Sequence, residues 1–150
     1  CENNKKTVSP GTLGILTNPK HPIFCDFPTE MHTNWQWFPV IKESHPLVLD
    51  NFAKGVKPIV QVIDNIERNH KLGLVMEWKV GAGKLLVCMS DLEKASEYPE
   101  GRAFYESVLS YMRSPEFAPQ SEITIAGLRK KLKEEPRQIS LKELNNISQY

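Results

Sequence analysis

The residues best suited to touch a ligand cluster at positions 32–38, where His32, Asn34 and Gln36 alternate with Thr33, Trp35 and Trp37 ahead of Phe38. Aromatic faces stack on the apolar faces of sugar rings, so an exposed indole here suits glycan contact. Trp35 and Trp37 stand two positions apart, and on a helix such residues point in different directions. One indole is therefore expected in the core and the other at a surface or an interface; alternatively the whole group is packing aromatics. Asp64 closes an apolar run, Asn65 follows it, and Asp91 comes just after a second run. Ligands of open α/β sheets gather at the carboxyl ends of strands, so these three with His32 are candidates to line a polar pocket. Carboxylates about 5–10 Å apart also suit glycoside hydrolysis. A small glycan hydrolase using Asp64, Asp91 and His32 is therefore a competing reading. The same side chains also serve as caps of helices and turns. The candidate ligand-binding set is His32, Asn34, Trp35, Trp37, Asp64, Asn65 and Asp91, with no catalytic residue assigned.

Other features carry less chemistry. Gly81-Ala-Gly-Lys84 lacks the spacing of a phosphate-binding loop and joins two strand-like runs, so it reads as a hairpin turn. His21, His45 and His70 show no metal-ligand spacing and read as solvated or packing residues. Neither a metal nor a cofactor is expected. Cys25 and Cys88 sit in apolar contexts, as small buried hydrophobes or, alternatively, as a disulfide pair. Cys1 heads Glu2-Asn3-Asn4-Lys5-Lys6, the pattern of a mature bacterial lipoprotein with a lipidated cysteine and a polar tether. That reading puts the protein in the periplasm or cell envelope, with a membrane contact only through a lipid on Cys1. The alternative is a chain start that merely falls at a cysteine. A net charge of +1 over 150 residues, with one basic cluster at Arg129-Lys-Lys131 and Lys133, argues against a nucleic-acid partner.

The elements that must position these residues follow from periodicity. Residues 1–10 are a polar lead. Thr12 to Thr17 is a short buried strand, and the proline-bearing stretch 18–30 is a loop with Ile23, Phe24 and Phe27 turned inward. Thr33 is placed to cap a short helix through Trp37, whose last turn Pro39 would disturb. Leu47 to Leu49 is a brief strand, and Pro58 to Asp64 is an apolar, β-branched strand of the doubly covered kind. Lys71 to Val80 and Lys84 to Ser90 form a hairpin. Glu100 to Met112 is a helix with Phe104, Tyr105, Val108, Leu109 and Met112 on one stripe, ended by Ser114-Pro115. Ile125, Leu128 and Leu132 mark a basic helix, and Ser140 opens a last one. The expected architecture is α/β, an open mixed sheet of about four or five strands with flanking helices over residues 11–118 and a helical appendix over 119–150.

Several segments together carry a resemblance: Thr12-Leu-Gly-Ile-Leu16, Pro19-Lys-His-Pro22, Phe27-Pro-Thr-Glu30, His32-Thr-Asn-Trp-Gln-Trp37, Pro58-Ile-Val-Gln-Val-Ile-Asp-Asn65 and Val80-Gly-Ala-Gly-Lys-Leu-Leu-Val-Cys88. In this order they resemble the C-terminal region of Bacteroidetes glycoside hydrolase family 2 proteins of the β-galactosidase-like kind. More distantly they are similar to trehalose-utilisation-type domains. The resemblance implies a class I glutamine-amidotransferase-like fold lacking its first strand–helix–strand unit, in a carbohydrate-processing context. It carries over no catalysis, since the carboxylates of those glycosidases lie on a separate barrel and no nucleophile elbow surrounds Cys25 or Cys88. The function expected is a non-catalytic accessory or interaction module, with carbohydrate or a glycosidase catalytic domain as partner. A third reading is a structural surface lipoprotein that forms a homodimer by pairing sheet edges.

Overall fold

A computed structural model describes residues 14–52, 56–64 and 69–133. The expectations for Cys1 and its polar lead, for Asn65, and for the helix opened by Ser140 lie outside the described residues.

The sheet is organised on one long strand. Residues 71–80, written Lys-Leu-Gly-Leu-Val-Met-Glu-Trp-Lys-Val, hold an apolar stretch with the strand-favouring Val75, Trp78 and Val80, and packing on both faces carries the rest. Numbered in chain order, the strands are β1 (Ile15–Thr17), β2 (Leu47–Val48), β3 (Val60–Ile63), β4 (Lys71–Val80) and β5 (Gly83–Cys88). The sheet runs β1-β3-β4-β2, with β5 also paired to β4. β4 and β5 form the expected hairpin, closed between Val80 and Gly83. Gly81 takes φ +57 at the first turn position, a conformation glycine adopts without steric cost.

All four ladders are antiparallel, so the expected mixed sheet is replaced by an antiparallel one. For β3–β4 and β4–β5 the physical reason is connection length: parallel neighbours need a crossover of a dozen or more residues, and these links are too short for one. Among the described residues, the parallel contact is the isolated bridge Lys79–Glu122. There the Lys79 N–H donates to Ser121 O at 2.7 Å and the Ile123 N–H to Lys79 O at 2.9 Å, which seats the segment after Gln120 beside β4.

A bulge sets which way β4 faces. Val60 pairs with Val75 but Gln61 pairs with Gly73, leaving Leu74 as an extra residue. Leu74 and Val75 therefore both enter the main core, while Met76 and Trp78 enter a second cluster on the other face. Glu77 is carried onto the side of the main core as a result.

Helices lie on both faces: α1 (Phe38–Lys42), α2 (Leu92–Ala95) and α3 (Pro99–Arg113) cover the main core, and α4 (Ile125–Lys133) lies against the second cluster. Pro99 opens α3 at a position whose N–H has no intrahelical partner in any case. Its buried face is Gly101, Phe104, Ser107, Val108 and Tyr111. This corrects the expected stripe, because Tyr105 and Met112 are exposed. Small and hydrogen-bonded residues take their places: Ser107 Oγ donates to Ile23 O at 2.5 Å, and Gly101 lies against the Ala95 backbone. Phe27 and Trp37 meet Phe104 at ring separations of 5.2 and 5.1 Å, forming the aromatic heart of the main cluster. On the opposite face Phe52 stacks on Trp78 at 5.9 Å, and Leu128 of α4 packs near them, while Ile125 and Leu132 stay exposed.

Cys25 and Cys88 are both free thiols, so the alternative of a disulfide between them is not formed; the burial expected of Cys25 is corrected, since it is exposed. Burial pushes the Cys88 thiol above its ordinary pKa. No described helix is long and apolar enough to cross a membrane.

Candidate functional site

The aromatic segment folds as a single 3₁₀ turn, Trp35–Trp37, running directly into α1. Pro39 sits in the first turn of α1, where a missing N–H does no harm, rather than disturbing a last turn. Thr33 does not cap: its Oγ1 accepts from the Ile15 N–H at 2.7 Å, and Asn34 holds the cap position without a side-chain bond. The tight turn separates the two indoles as their spacing implied. Trp37 is completely buried, its Nε1–H donating to Thr29 Oγ1 at 2.8 Å. Trp35 is 88% exposed. Its ring lies 6.5 Å from that of Phe38, which is 41% exposed. Together with Thr33, Asn34 and Ile41 they line a shallow hollow of about 360 Å³. Asn34 Oδ1 is buried with no hydrogen-bond partner among the described residues.

The other candidates are not gathered there. His32 is exposed, with Nδ1 3.1 Å from Thr33 O, and bridges Leu16 at the outer edge of β1. Asp64 Oδ2 accepts from the His70 N–H at 3.1 Å and so fastens the β3–β4 connection. Asp91 caps α2, accepting from the Lys94 N–H at 3.1 Å and pairing with Lys94 Nζ at 3.7 Å. Residue 91 follows Ser90, which bridges Ser44 on the far side of β4. His32 and Asp91 are thus about four strand spacings apart, at roughly 4.8 Å each. Asp64, Asp91 and His32 do not converge within proton-transfer reach.

A larger cavity, of about 710 Å³, opens where β3 stops short along β4. β3 reaches Val75, Ser121 hydrogen-bonds at Lys79, and Glu77 sits in the gap between them. Thr17, His21, Gln61, Lys71, Glu77 and Gln120 are among its walls. Tyr111 reaches Glu77 from α3, its hydroxyl donating to Oε2 at 2.7 Å. His21 Nε2 lies 4.0 Å from the other carboxylate oxygen, Oε1. His21 Nδ1 accepts from the Ile23 N–H at 3.3 Å, which leaves the proton of the neutral ring on Nε2. Burial lowers the His21 pKa below its ordinary 6.5, with Glu77 opposing, so at neutral pH the two do not form an ion pair. Burial, then the bond to Glu77, raises Tyr111 far above its ordinary 10.0.

Sequence reasoning missed this group. His21 read as a solvated or packing histidine, and Tyr111 fell outside the apolar stripe of α3. The available signal was Glu77 itself, the one carboxylate in the apolar run of β4; a carboxylate set among covered strand residues usually has partners. Among the described residues, no group of three or more His, Cys, Asp or Glu is arranged to hold a metal ion.

No curated protein matches the chain. A family model does: it spans residues 1–133, and so takes in both the Trp35 hollow and the His21–Glu77 cavity. The chain belongs to that family, described as Domain of unknown function (DUF8487).

Proposed function

We propose that the chain is a non-catalytic accessory module of carbohydrate processing that contacts glycan through Trp35. The observation that carries this reading is the indole itself, 88% exposed beside Phe38 on a hollow with almost no polar wall. A globular chain gains nothing in its core from a tryptophan held out in water, whereas a sugar ring face covers such an indole well. The resemblance to β-galactosidase-like family 2 proteins adds the setting, in which the module accompanies a glycoside hydrolase catalytic domain. The amidotransferase-like part of that resemblance receives no support from a sheet whose ladders are all antiparallel.

The test is binding of the folded chain to a panel of galactosides and host-type glycans, compared with Trp35→Ala. Saturable binding that the substitution abolishes supports the proposal. A folded chain that binds none of them, or binds equally well without Trp35, rejects it.

A further inference from the structure

The His21–Glu77 cavity holds two groups poised for a third. We propose that it is a separate binding site for a small neutral polyhydroxylated ligand of monosaccharide size, held by one hydroxyl between His21 Nε2 and Glu77 Oε1. This site shares no lining residue with the Trp35 hollow and does not rest on the reading given to that hollow.

The gap of 4.0 Å is too long for a direct hydrogen bond. An oxygen about 2.8 Å from both atoms fits over it. That oxygen must accept from the Nε2–H, fixed by the Ile23 N–H on Nδ1, and donate to the carboxylate. A hydroxyl does both at once; an ether, a ketone or an ammonium does only one. The carboxylate is held for the task, since Tyr111 occupies Oε2 and leaves Oε1 facing His21.

The walls favour the same chemistry. Gln61, Gln120, Thr17 and Ser121 both donate and accept, as the several hydroxyls of a sugar require. Leu16, Pro58 and Ile59 supply apolar surface for a ring face. The charges are mixed, so no ionic ligand is favoured throughout: Lys57 and Lys71 attract an anion that Glu77 repels, and Glu77 attracts a cation that the lysines repel. Lys71 is also engaged, its Nζ donating to Val56 O at 2.5 Å. The volume, about 710 Å³, lies within the range of small-molecule sites.

The experiment is a titration of the full chain, followed by backbone amide resonances, with galactose, glucose, mannose and xylose in turn. Inorganic phosphate and spermidine serve as anionic and cationic probes. The expected result is saturable shifts at Thr17, His21, Gln61 and Glu77 with at least one sugar. Glu77→Gln should weaken that binding at least about tenfold, because a charge-assisted hydrogen bond is lost, while Trp35→Ala should leave it unchanged. Should Glu77→Gln lose its folded spectrum, Gln120→Ala on the exposed wall takes its place and should also weaken binding. The proposal is overturned if no sugar gives saturable shifts, if phosphate or spermidine binds here in preference, or if only Trp35→Ala removes the effect.

Discussion

Trp35 and Trp37 belong to one turn but do different work. Trp37 is fully buried between Phe24, Phe27 and Phe104, whereas Trp35 touches little besides Phe38. Trp37→Ala should therefore cost about 3–5 kcal/mol, a large share of a typical domain's stability. Trp35→Ala should stay within about 0.5 kcal/mol of the parent. Urea unfolding of both variants measures the contrast, and equal losses would mean that Trp35 is packed after all. His21 makes a second prediction. Its folded pKa lies below 6.5, so as pH falls the unfolded chain takes up the proton first. The sign follows from linkage: stability from this group is whole above about 6.5 and declines as pH drops through and below that value. His21→Gln should flatten the decline in stepwise unfolding measurements between neutral and mildly acidic pH. Tyr111 acts at the other end, since its folded pKa lies above 10.0 and the unfolded chain ionises first as pH rises. Tyr111→Phe should remove that alkaline loss of stability, and at neutral pH should cost about 1–3 kcal/mol by leaving Glu77 Oε2 without its donor.

The packing of elements rests on two close approaches. A Cβ on Gly101 would lie 1.9 Å from Ala95 O, so α3 can sit on the end of α2 only with glycine there. A Cβ on Gly73 would meet Met76 Sδ at 2.3 Å, the far part of a flexible side chain that can move aside. Gly101→Ala should thus destabilise by about 1–3 kcal/mol or more, and Gly73→Ala by less. Thermal melts of the two variants decide it; the reverse order would contradict the α2–α3 packing. At this scale much was legible. The hairpin announced itself through Gly81-Ala-Gly83 between two apolar runs, and α3 through its apolar spacing and the Ser114-Pro115 stop. What was not legible was direction and rotation. The extra residue Leu74 turns Glu77 toward α3, and a bulge leaves no mark in a run of apolar residues. The buried face of α3 likewise includes Ser107 and Tyr111, whose burial depends on partners, Ile23 and Glu77, distant in the chain.

At the scale of the whole molecule, an antiparallel sheet carries α3 on one face and α4 with the Leu49–Phe52 segment on the other. The sequence pointed to the Trp35 segment because aromatic clustering is local. It could not gather Asp64, Asp91 and His32 correctly, because carboxylates at strand ends serve equally as caps, and Asp91 does so here. Nor could it assemble His21, Glu77 and Tyr111, which meet only once β3 stops short of Glu77 and α3 crosses the sheet. The central claim is that the exposed Trp35 face contacts glycan. The most direct test is to titrate the folded chain with galactosides and host-type glycans while following tryptophan fluorescence and amide shifts, beside Trp35→Ala. The account predicts saturable binding centred on Trp35 and Phe38 that vanishes in the variant. Binding that survives the loss of Trp35, or no binding by a chain shown to be folded, would contradict it.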